Sequence, residues 1–190
     1  MVLTIISGSP SKTSVSIRIA FYLRKYLQNI IPEAEVNVLD CREYEIPLDD
    51  ATYKSVESAP AALQPLAKLF FKTNGFILLT PEYNGSYTPS LKNLLNHFPK
   101  LSHKACGIVT ASDGALGGMR AAQQMQQLIA AHFGIISPYM LIVPHVHTKF
   151  DEEANLIDHK FATQLERFSE EFIWLFKALC QAQEIVKQNN

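Results

Sequence analysis

Charge is scarce in this sequence. Only 18% of its 190 residues are Asp, Glu, Lys or Arg, and the net charge is -1. A chain with so little charge of one sign does not bind nucleic acid by bulk electrostatics. An apolar fraction of 47% with so little net charge also excludes a disordered chain. Cysteine is scarce too. Cys41, Cys106 and Cys180 are odd in number, far apart and without a C-x-x-C pair, which excludes a disulfide framework and predicts reduced thiols in the cytoplasm. No long hydrophobic run is present: the opening apolar stretch, MVLTIIS, is far shorter than the roughly 18 residues that span a bilayer. It also lacks the basic flank of a signal peptide, so neither membrane nor export is expected. Glycine is limited to 8 residues, and their distribution is informative.

Strand and helix signals alternate five times. Val2–Ser7, Glu35–Leu39, Phe76–Thr80, Ala105–Thr110 and Ile135–Val143 read as strands, the last interrupted at Ser137–Pro138. Helices are predicted from about Ser14 to Pro32, over Leu63–Phe71, Ser90–Phe98 and Met119–His132 (capped by Gly134), and from Glu153 onward. In the last of these, Phe161, Leu165, Phe168, Phe172, Leu175 and Leu179 recur at spacings of four and three, a core or subunit-interface stripe. Continuous apolar strands alternating with helices predict an α/β fold, a parallel sheet covered on both faces. No linker or repeat divides residues 1–190, so one domain is expected.

Ligands of such sheets bind beyond the C-terminal strand ends. Three loops there are unusual. The first, Ser7-Gly8-Ser9-Pro10-Ser11-Lys12-Thr13-Ser14-Val15-Ser16, is rich in hydroxyls and opens a helix. No acid precedes Glu33, whereas Lys12, Arg18, Arg24 and Lys25 do, so the local field favours a phosphate. The loop has neither the G-x-x-x-x-G-K-[ST] nor the G-x-G-x-x-G pattern, which excludes an NTPase P-loop and disfavours a dinucleotide turn. Otherwise it is a solvated loop with Ser14 as helix cap. The second, Thr80-Pro81-Glu82-Tyr83-Asn84-Gly85-Ser86-Tyr87-Thr88-Pro89, sets an aromatic ring and an amide beside a close backbone approach, as a flat heteroaromatic ring requires. The third, Ser112-Asp113-Gly114-Ala115-Leu116-Gly117-Gly118-Met119-Arg120, offers three glycines through which backbone N–H groups reach a ligand edge.

These three segments, in this order and spacing, resemble the NADPH-dependent FMN reductase family over about residues 2–145. The segment P-E-Y-N-G-S followed by L-K-N is the most specific part. Ser11 and Ser16 stand where many members carry arginine and asparagine. The resemblance implies a flavodoxin-like three-layer sandwich, with a five-stranded parallel sheet in the order 2-1-3-4-5 and helices on both faces. It implies FMN as cofactor, NADPH or NADH as cosubstrate, a small-molecule electron acceptor, and a homodimer or homotetramer. Ser9, Ser11, Ser14, Val15 and Ser16, with Lys12 nearby, would hold the phosphate. Pro81, Glu82, Tyr83, Asn84 and Gly85 would line the isoalloxazine, and Ser112, Gly114, Gly117 and Gly118 would approach the ring. No catalytic side chain is implied, because the flavin carries the chemistry.

Two further features have plainer readings. His145 and His147 alternate in Pro144-His-Val-His-Thr as if on one side of a strand, but no third ligand has clear spacing, so polar strand-end residues are expected and no metal site. The stretch from Glu33 to Glu57, with eight acids against Arg42 and Lys54, reads as a solvated face.

Overall fold

A computed structural model describes residues 1–49 and 51–188. Its centre is a parallel sheet built from β1 (Val2–Ser7), β2 (Glu35–Asp40), β3 (Gly75–Pro81), β4 (Ala105–Ala111), β5 (Ile135–Ile136) and β6 (Leu141–Val143). The strand order is β2-β1-β3-β4-β5, with β6 also on β4, which bears out the expected 2-1-3-4-5 sequence. The fifth position is shared by two short strands. Ile135 and Ile136 pair with Ala105 and Cys106, and Leu141–Val143 pair with Val109–Ala111. Residues 137–140 thus make a detour past Gly107 and Ile108. Pro138 has no N–H to give the ladder, which explains the break.

Side chains of a strand alternate between its two faces, and here they feed two cores. Leu3, Ile5, Ile77, Leu79 and Val109 pack under α1 (Ser16–Ile30) and α5 (Ala162–Gln188). Ile6, Phe76, Leu78, Cys106 and Ile108 pack under α2 (Gln64–Lys72), α3 (Pro89–Asn96) and α4 (Met119–Ala131). The expected inward faces are realised by Ile19, Leu23 and Leu27 of α1, Leu91, Leu94 and Leu95 of α3, and Met125, Leu128 and Ile129 of α4, all buried. Of the expected stripe, Phe161, Leu165, Phe168 and Phe172 are core, whereas Leu175 and Leu179 are only partly buried and Phe176 and Cys180 take the inward positions; Phe168, Phe172 and Phe176 stack at centroid spacings of 6.1 and 5.9 Å. They rest on glycine. A Cβ on Gly75 would lie 2.6 Å from Phe176, and one on Gly107 would lie 3.0 Å from both Phe168 and Phe172. Trp174 lies off the stripe and is 72% exposed.

Beyond shifts of one or two residues at element ends, the structure departs from the sequence reading at three places. The last helix starts at Ala162 instead of Glu153. Asp151 accepts the Asn155 N–H at 2.7 Å and its side-chain amide at 3.0 Å, a local turn that outcompetes helix, and Asp158 caps the short turn that follows. At the end of α4 the left-handed residue is Phe133 (φ 58°), and the Gly134 N–H closes the helix on the Ile129 carbonyl. Pro144-His-Val-His-Thr is no strand: His145 is left-handed (φ 47°) and Val146–Thr148 form a 3-10 turn. Among the described residues, no helix is long and apolar enough to cross a membrane and no group of side chains is arranged to hold a metal ion.

Candidate functional site

Parallel strands deliver all their C-terminal ends to one edge of the sheet, so the three singled-out loops converge there. They are tied to each other. Gly8 N–H donates to the Leu79 carbonyl at 2.8 Å, and the Gly8 carbonyl accepts from the hydroxyls of Thr88 and Ser90. A Cβ on Gly8 would lie 2.7 Å from Leu91, so glycine lets the first loop press against α3. Thr88 also caps α3, and its N–H donates to Thr80 Oγ1 at 3.0 Å.

The edge holds a cleft of about 350 Å³. Its first wall is a file of hydroxyls: Ser9 Oγ accepts the Ser11 N–H, Ser11 faces Thr13 at 3.3 Å, and Ser14 faces Ser16 at 2.9 Å. Helix α1 begins at the end of this file. Ser14 is not its cap. Val15 holds that position, no side chain accepts from the first amides, and the first turn has no acid. The partial positive charge of the helix start therefore stays available to an anion. Arg42, held by Asp40, donates to the Lys12 carbonyl and braces the loop.

The second wall is Pro81, Glu82 and Tyr83, with Tyr83 39% exposed at the lip. Behind it, Tyr83 and Ser86 exchange backbone hydrogen bonds of 2.9 and 3.1 Å around Asn84 (φ 52°) and Gly85 (φ 81°). Two positive φ angles in a two-residue loop identify a type I′ hairpin turn, for which Asn-Gly is the preferred pair. Glu82 is tied to Arg120 at 3.4 Å. The third wall is Ala111, Ser112 and Asp113, joined by Val146 and His147 from the segment after β6. His147 Nε2 stands 3.0 Å from Asp113 Oδ1, and His145 Nδ1 lies 2.9 Å from the Asp113 carbonyl.

Of the residues singled out from sequence, Ser9, Ser11, Ser14, Val15, Ser16, Pro81, Glu82, Tyr83 and Ser112 line the cleft. Lys12, Asn84, Gly85, Gly114, Gly117 and Gly118 do not line it. The Lys12 side chain is exposed. Gly117 (φ 59°) and Gly118 (φ 88°) are needed for the turn into α4, where a Cβ would strike Ile142 and Pro144 or Thr110. Sequence reasoning missed Thr13, Ala111, Asp113, Val146 and His147. Thr13 and Asp113 lie inside the quoted loops, and Val146 and His147 follow a strand whose end must reach the same edge. A larger cavity of about 620 Å³, lined by residues such as Asn74, His103 and Gln183, opens at the opposite, N-terminal edge of the sheet.

The lining fits a flavin mononucleotide: hydroxyls and an uncapped helix start suit its phosphate, and Pro81 and Tyr83 suit a flat ring. The chain is similar to several reductases. An Escherichia coli quinone reductase is 34% identical over 109 residues, 54% of this chain and 57% of that protein's length. A Bacillus NADPH azoreductase is 25% identical over 175 residues, 88% of this chain and 92% of that protein. The Paracoccus denitrificans NAD(P)H:acceptor oxidoreductase FerB shares the fold, with a TM-score of 0.74 at 19% identity over 93% of this chain and 97% of that one. The sequence profile of the NADPH-dependent FMN reductases matches residues 1–148, all three loops included, and the chain belongs to that family.

Proposed function

We propose that this chain is an NAD(P)H-dependent FMN oxidoreductase, which takes reducing equivalents from NADPH or NADH and passes them to a small-molecule acceptor such as a flavin, quinone, azo compound or metal ion. The observation that carries the reading is the pairing, in one cleft, of an uncapped helix start faced with hydroxyls and a Pro81–Tyr83 wall. When bound, FMN would supply the two-electron chemistry itself. The protein binds and orients. Ser9, Ser11, Ser14, Val15 and Ser16 hold the phosphate, and Lys12 adds to the local positive field. Pro81, Glu82 and Tyr83 hold the ring plane, with Asn84 and Gly85 fixing that wall through their turn. Ser112, Gly114, Gly117 and Gly118 set the third wall at the ring edge. The two acids of the cleft are engaged, Glu82 by Arg120 and Asp113 by His147, so neither has a free role as acid or base.

The acceptor classes are supported by relatives named as a quinone reductase and an azoreductase. A cytoplasmic enzyme of one domain over residues 1–190, assembled as a homodimer or homotetramer, completes the proposal. Exposed Phe21 and Trp174 offer apolar surface for assembly. A flavodoxin-like electron carrier without nicotinamide turnover is disfavoured by the net charge of -1, because such carriers dock through strong acidity. Purified protein loaded with FMN is to be mixed anaerobically with NADPH. Loss of the visible flavin band within seconds is expected, and an unchanged spectrum with both NADPH and NADH overturns the enzyme.

A further inference from the structure

The cavity of about 620 Å³ at the N-terminal edge of the sheet takes no part in the flavin cleft. Its size lies in the range of small-molecule sites, roughly 300–1,000 Å³. Three parts of the chain wall it: the end of α2 with Thr73 and Asn74, the loop 102–104 that leads into β4, and the last turns of α5. A relay of amides ties these walls to each other. Asn74 Oδ1 accepts the Val2 N–H at 2.8 Å, Asn74 Nδ2 donates to Gln183 Oε1 at 3.4 Å, and Gln183 Nε2 donates to the His103 carbonyl at 2.8 Å. The cavity is thus preformed by hydrogen bonds between the elements that line it.

Its lining offers two kinds of surface. Phe71, Leu179, Ala182 and Val186 are apolar, and Val186 is 60% exposed. Ser102, His103 and Lys104 follow one another on the loop. Lys104 Nζ lies 5.3 Å from the ring centre of Phe76 and 5.9 Å from that of Phe70, which sets a positive charge beside apolar surface. Lys72 lines the cavity too, but Glu35 takes its Nζ at 2.6 Å. Among the described residues, no Asp or Glu lines the cavity. The carbonyls that end α2 here are engaged: Leu69 accepts the Thr73 hydroxyl at 2.7 Å, and Phe70 accepts the Thr73 N–H at 3.3 Å. An acid-free cavity with apolar walls and a cation suits a molecule with an apolar body and one negative group. Burial of the body supplies affinity, and the ammonium adds a charge-assisted hydrogen bond.

We propose that this cavity is a second ligand site and that it takes an apolar aromatic carboxylate, its rings against Phe71, Leu179, Ala182 and Val186 and its carboxylate toward Ser102 and Lys104. The site lies at the strand starts and the flavin cleft at the strand ends, so the two fill independently. The inference does not rest on the flavin reading.

The test is titration calorimetry of the full chain, with and without saturating FMN, using biphenylcarboxylate and its uncharged amide as probes. The wild type is expected to bind one carboxylate per chain, equally well with and without FMN, and to bind the amide about fivefold to tenfold more weakly. Ala182→Trp fills the cavity from an exposed position of α5 and should weaken both probes at least about tenfold. Lys104→Met keeps an apolar stem beside the Phe70 and Phe76 rings and should bring carboxylate affinity down to that of the amide. An unchanged melting temperature in each variant reports an intact fold. Absence of carboxylate binding to the wild type overturns the proposal, as does binding that FMN displaces or that Ala182→Trp leaves unchanged. Equal affinity of the wild type for carboxylate and amide, or a carboxylate affinity that Lys104→Met does not alter, overturns the assignment of an anionic ligand.

Discussion

Asn84 and Gly85 do not line the cleft, yet its second wall depends on them, because their two positive φ angles make the turn that closes between Tyr83 and Ser86. Gly85→Val puts a β-branched residue at φ 81°, a strain of about 1–3 kcal/mol on a two-residue turn. Purified Gly85→Val protein is expected to lack the flavin colour of the wild type, and retained stoichiometric FMN would remove this turn from the site. The thiols make a second residue-scale expectation. Burial pushes Cys41 and Cys106 up to about 12 and Cys180 to about 11, so thiolate is negligible near neutral pH. A thiol reagent at pH 8 should label none of the three until the protein is denatured, and rapid labelling of the native protein contradicts their burial. His132 is buried, and desolvation first, then Lys100 and Lys92, lower it to about 4. The unfolded chain therefore binds a proton near pH 6.5 that the folded chain refuses, and stability falls as pH drops from about 6.5 toward 4. Thermal melts of His132→Gln should show a shallower loss across that window than the wild type. An identical slope would leave the acid sensitivity to other groups.

At the scale of elements, two glycines explain how a 27-residue helix lies flat on the sheet. Phe168, Phe172 and Phe176 occupy the space that Cβ atoms at Gly75 and Gly107 would fill. Gly75→Ala should destabilise the fold by about 1–3 kcal/mol through overpacking, measured by urea denaturation. FMN affinity should be unchanged, since β3 meets Phe176 at the edge opposite the cleft. Unchanged stability would mean that the ring stack shifts freely. Elements of this kind were legible because burial on both faces leaves an unbroken apolar run: Val2–Ser7 is the observed β1, and β2, β3 and β4 differ from their readings by one or two terminal residues. The break in the fifth strand was legible as well: the interruption read at Ser137–Pro138 separates β5 from β6, and Pro138 has no N–H for the ladder. The start of α5 was misplaced because acidic and amide side chains at 151–155 close a turn through hydrogen bonds that hydrophobic spacing does not register.

For the molecule as a whole, what could be read from sequence follows chain continuity. The three loops are contiguous stretches, so Ser9, Tyr83 and Ser112 could be found one loop at a time, and the parallel topology then brings them together. His147 could not be found that way. Its partner Asp113 is on another loop, and the alternation of His145 and His147 suggested a strand where the chain turns with φ 47°. Lys12 is the converse: it sits in the right loop by sequence, but its side chain points to solvent. The five glycines of these loops divide in the same manner. Gly8, Gly85, Gly117 and Gly118 let backbone pass where a side chain would clash or strain, and Gly114 stands clear of close contacts. Whether this assembled edge makes an enzyme is decided by stopped-flow mixing of FMN-loaded protein with NADPH, and separately with NADH, without oxygen. Rapid bleaching of the flavin with at least one nicotinamide, and recovery of colour on adding a quinone, is the expected outcome. A flavin that stays oxidised with both nicotinamides would show that the edge binds a flavin without reducing it.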